Sequence, residues 1–85
     1  MIVDVEVHAQ PSSELSLRLE RMGQVVSDNQ MDRITGVVRN YIDVNLMVKL
    51  LNNDGWAAVV AALPCRAKLN LAALVTELEG EMHLG

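Results

Sequence analysis

The chain has no phenylalanine, one tryptophan, one tyrosine, one cysteine and two prolines among its 85 residues. Apolar residues nevertheless make up 51% of it, so any core must be aliphatic, built from Val, Leu, Ile, Met and Ala. Side chains of that size each remove a modest area from water. With Cys65 alone, no intrachain disulfide can staple the fold, and no paired-cysteine metal motif can be assembled. No apolar run approaches the ~20 residues that span a bilayer. The first residues lack the basic start and long apolar segment of a signal peptide, so the expected location is cytoplasmic. Basic residues are also scarce: seven Lys and Arg stand against eleven Asp and Glu, for a net charge of −4. Nucleic-acid binding, which is driven by Lys and Arg displacing counterions, is not expected.

Length then limits what the remaining residues can do. A chain of this size is a single domain, residues 1–85, and buries only about 60% of the surface its unfolded form exposes. A thin aliphatic core without covalent staples favours self-association, because a second subunit can bury what one copy cannot.

Tyr41 to Leu50 (YIDVNLMVKL) is the most patterned stretch. Ile42, Val44, Leu46, Val48 and Leu50 alternate with Asp43, Asn45, Met47 and Lys49, the period of a strand with one apolar and one largely polar face. A helical spacing through Ile34, Val37, Tyr41, Val44, Val48 and Leu51 can also be drawn. It would leave Ile42, Leu46 and Leu50 on the wet side and fill a helix with β-branched residues. On that ground the stretch is read as a strand. Residues 2–8 (IVDVEVH) alternate in the same way and read as a second strand. Met31 to Arg39, with Thr35, Val37 and Val38, reads as a third, paired with the first as a hairpin. Ser27 and Gln30 also match a capping box, which keeps a helix starting there as an alternative.

Helices are expected elsewhere. Leu15, Leu19, Met22 and Val26 share one helical face after a cap at Ser12 or Ser13. Gly55 to Leu63 reads as a short apolar helix with Trp56, Val59, Val60 and Leu63 on one face, capped by Asn52, Asn53 or Asp54 and ended by Pro64. Leu71, Leu74, Val75, Leu78 and Met82 trace a further helix over 71–82, with Asn70 as its cap and a short strand at Ala67 to Leu69 before it. The expected fold is therefore α+β: a small antiparallel sheet with two or three helices, ferredoxin-like in element order. A mostly α-helical fold is the alternative. The string ALP (62–64) followed by LAALVTELE (71–79) resembles the end of small ferredoxin-like assembly chaperones for molybdoenzymes. It implies the same fold and carries no specific residue.

Candidate chemistry is sparse. Asp4, Glu6 and His8 could share a metal on one strand face, but three alternating polar residues are also what any solvated strand shows. Glu79 and His83 stand at i, i+4 near the C-terminus. Cys65 beside Arg66 is better read as a small, partly buried side chain than as a nucleophile, which would need a base in reach. No phosphate loop or Ser/His/Asp constellation is present. The expectation is a non-enzymatic protein without metal or cofactor. It would act as a homo-oligomer and through another protein, as an accessory, regulatory or adaptor module. Met47, out of place on the polar side of its strand, Asp43 and Asn45 beside it, and Trp56 are the expected interface residues. A sensor domain holding a small molecule between subunits, and less favourably a metal-dependent enzyme, are the alternatives.

Overall fold

The computed structural model describes residues 13–83. The expected strand at 2–8, with Asp4, Glu6 and His8, lies outside them, as does the side chain of His83. Within them the chain forms five helices and no strand: α1 (residues 13–22), α2 (Asp28–Arg39), α3 (Val44–Asp54), α4 (Trp56–Ala62) and α5 (Cys65–His83). The α+β expectation, with its ferredoxin-like sheet, gives way to a small all-α fold.

The helix starts explain why the strand patterns failed. Before α2, Ser27 Oγ accepts from the Gln30 N–H at 3.3 Å while Gln30 Oε1 accepts from the Ser27 N–H at 3.0 Å. This capping box satisfies donors at both positions. Asp28 in the first turn and Arg39 in the last complement the helix dipole. Thr35, Val37 and Val38 lower helix propensity by only a few tenths of a kcal/mol each. Burial of Ile34 and Val38 outweighs that.

Before α3, Asp43 is extended and its carboxylate accepts from the Asn45 N–H at 2.9 Å. The helix runs eleven residues to Gly55, whose N–H donates to the Leu51 carbonyl at 3.1 Å. Gly55 adopts φ 71°, ψ −155°, a region essentially reserved for glycine. It lets α4 fold back on α3 without a linker. Asn52, Asn53 and Asp54, expected as caps for α4, instead complete α3. Asn70 and the residues expected as a strand at 67–69 lie inside α5.

The helical expectation for α4 holds, and that for α1 holds as far as Met22; the chain turns at 23–25, so Val26 lies beyond the helix. Leu15, Leu19 and Met22 are buried, while Leu17, which a strand would have placed beside Leu15 and Leu19, is exposed. On α4, Trp56, Val59, Val60 and the following Leu63 are all buried. They meet Ile34 and Val38 of α2, Met47 of α3, and Ala67, Leu71, Val75 and Leu78 of α5 in one core, aliphatic but for Trp56.

Polar contacts fix how the helices lie. Gln30 and Arg33 reach Glu81 and Glu77 at one end, and Tyr41 meets Asn70 at the other, so α2 runs antiparallel to α5. Arg18 of α1 grips Glu79 with two bonds, Nε to Oε2 at 3.1 Å and Nη2 to Oε1 at 2.7 Å, and also donates to Thr76 Oγ1 at 2.9 Å. That fork holds the Arg18 guanidinium above its ordinary pKa, chiefly through the hydrogen bond to Glu79.

Candidate contact surface on α3

α3 packs mainly against α4 and touches the end of α2. A helix turns 100° per residue, so only a narrow stripe of α3 can face that support. Met47 occupies it and is 5% exposed. Leu50 and Leu51 sit half-buried on either side. The remaining apolar residues are left outside: Val44 is 39% exposed, Leu46 44% and Val48 46%. Val44 and Val48 lie one turn apart on the Leu51 side of Met47, and Leu46 lies on the Leu50 side. Tyr41, also exposed, precedes them, and its hydroxyl accepts from Asn70 Nδ2 at 3.2 Å.

Charge is thin on this helix. Lys49 and Asp54 are its charged residues, with Asp43 at its cap. Among the described residues Lys49 has no acidic partner in its own chain. An apolar surface with amides and a single lysine around it is unusual for a solvated helix, whose outer face normally carries charge.

The residues expected at an interface separate into two groups. Met47 and Trp56 belong to the core of the single chain. Strand alternation put Met47 opposite Leu46 and Val48, on a wet face; helical geometry turns it inward and those two outward. Trp56 is buried at the start of α4, where its N–H donates to Glu20 Oε2 of α1 at 3.0 Å. Asp43 and Asn45 are exposed at the head of α3, beside Val44 and Leu46. Sequence reasoning passed over Leu46, Val44 and Val48. The signal was there: drawn as a helix, the stretch has more apolar residues than one face can hold.

The chemistry elsewhere is limited. Cys65, expected partly buried, is exposed at the first turn of α5. Glu79 is engaged with Arg18. Among the described residues no group of three or more His, Cys, Asp or Glu side chains is placed to hold a metal ion, and no helix is long and apolar enough to cross a membrane. Comparison with protein-family models, with curated proteins and with solved structures returned no match.

Proposed function

We propose that this chain works by protein contact, as a homo-oligomeric accessory, regulatory or adaptor module without catalytic activity of its own. The contact surface is the exposed apolar part of α3, Val44 and Val48 on one flank and Leu46 on the other. The observation that carries this reading is the exposure of Val44, Leu46 and Val48 on one eleven-residue helix. A monomer gains nothing from three branched apolar residues in water, and two of them, being β-branched, weaken the helix that bears them. Covering them with another protein surface turns that liability into binding energy, at ~25 cal/mol per Å² of apolar area removed from water.

The test is a triple substitution, Val44→Gln, Leu46→Gln and Val48→Gln. All three positions lie outside the core, so helix content by circular dichroism is expected to stay as in the wild type. Light scattering over a concentration series is expected to show association of the wild type and its loss in the variant. Equal association by both proteins would remove α3 as the contact face, and a wild type that stays monomeric would remove the homo-oligomeric reading.

A further inference from the structure

We propose that α3 is a strap that opens as a unit between the turn at 40–43 and Gly55, while the other four helices stay packed. In opening it uncovers the side of α4 against which it lies. This concerns the inward side of α3 and does not depend on what its exposed residues meet. Burial is the first observation. Met47 is the one buried residue of α3, Leu50 and Leu51 are half-buried, and the rest are exposed. The seven residues of α4 bury Trp56, Val59 and Val60, and α5 buries Ala67, Leu71, Val75 and Leu78. Apolar area removed from water is what holds a helix in place, and α3 has the least to lose. Against it stands the backbone freedom that eleven residues recover on release.

Polar ties follow the same division. Arg18 joins α1 to Glu79 of α5, Arg33 joins α2 to Glu77 of α5, and Glu20 of α1 holds the Trp56 N–H of α4. Among the described residues no side chain of 44–54 bonds to another helix; the bond from Asn70 to Tyr41 lies before α3 begins. Both ends of α3 are breaks in the helical backbone, at the extended Asp43 and at Gly55 with its φ of 71°. Opening between them leaves the hydrogen bonds within α2 and α4 intact. The start of α4 does not need α3 either, because its acceptor comes from α1. Once released, a helix of eleven residues is too short to persist in water, so the strap unravels into a loop anchored at both ends. The segment is thus either seated or loose, and the apolar side of α4 is covered or open with it.

The experiment is amide hydrogen exchange followed by mass spectrometry on peptic fragments, at high dilution so that any self-association is absent. Fragments within Met47–Asp54 are expected to exchange about tenfold or more faster than those of α5, relative to unfolded chain, while α4 keeps protection close to that of α5. Gly36→Ala supplies the second measurement. It restricts the unfolded chain and leaves the state with only α3 open unchanged, because α2 is helical there. It is expected to slow exchange in α5 about two- to fivefold and to leave the rate in α3 as it was. Equal protection of α3 and α5, or equal slowing of both by Gly36→Ala, would mean that α3 opens only with the whole molecule. Loss of α4 protection together with α3 would make the two helices one opening unit and overturn the strap. Fast exchange confined to the last residues of α3, with Leu50 and Leu51 protected like α5, would reduce it to fraying.

Discussion

Three single residues show how narrowly this small core is held. Gly36 lies inside α2, exposed, with ordinary helical backbone, and a Cβ there would meet nothing within 4 Å. Its only contribution is extra freedom in the unfolded chain, so Gly36→Ala is expected to stabilise by about 0.5–1 kcal/mol. Thermal unfolding followed by circular dichroism should show Tm rising by roughly 4 °C, and a lower Tm would contradict the open space around it. Gly55 is the opposite case. A Cβ at its positive φ would be strained and would also strike the Glu20 carboxylate. Gly55→Ala is expected to destabilise by about 1–3 kcal/mol, with Tm falling in the same assay. Met47→Lys buries an ammonium in the apolar core and should cost on the order of 3 kcal/mol or more. Met47→Leu should cost less than about 1.5 kcal/mol. A folded, soluble Met47→Lys protein would mean that Met47 faces water, as the strand reading supposed.

At the scale of elements, the join between α3 and α4 depends on a third helix. Gly55 has no side chain to cap α4, and the vacant role is filled by Glu20 from α1, which accepts from the Trp56 N–H. Glu20→Ala leaves that donor without its acceptor and is expected to cost about 1 kcal/mol. Amide hydrogen exchange should then accelerate at the start of α4 while α2 and α5 keep their protection. Uniform acceleration would place the carboxylate's role elsewhere. No sequence spacing announces this contact, because residues 20 and 56 meet only once the fold is formed.

The same scale explains which elements could be read in advance. α1 and α4 were legible because their large apolar residues, Leu17 aside, keep to one face: Leu15, Leu19, Met22, and Trp56, Val59, Val60. α2 carried its own sign in Ser27 and Gln30, but the β-branched residues at 35, 37 and 38 cover that sign with a strand-like composition. α3 could not be read from periodicity. Five apolar residues at alternate positions wrap around a helix instead of lining it, and alternation is what a strand shows. The residues that disguised the helix are those the core leaves exposed. The misreading of α3 and its candidate contact surface therefore have one physical cause, an apolar arc too wide for the support that α4 and α2 provide.

For the molecule as a whole, the self-association proposed for that arc would link stability to concentration. A largely aliphatic core in a short chain leaves a small margin, and the proposed association would add to it by mass action, because only folded chains would pair. Once the dimer dominates, each tenfold rise in concentration should stabilise each chain by about 0.7 kcal/mol, half the tenfold factor because two chains share one complex. For a domain of this size, that is a rise in Tm of roughly 4 °C per decade. Scanning calorimetry at low and high concentration is expected to show this rise in the wild type and to lose it in the triple glutamine variant. At high dilution, where both are monomers with the same core, the variant should lie within about 1 kcal/mol of the wild type, the difference coming from helix propensity at the three positions. A Tm independent of concentration in the wild type would mean that α3 leaves its valines and leucine in water under all conditions, and that no second copy relieves them.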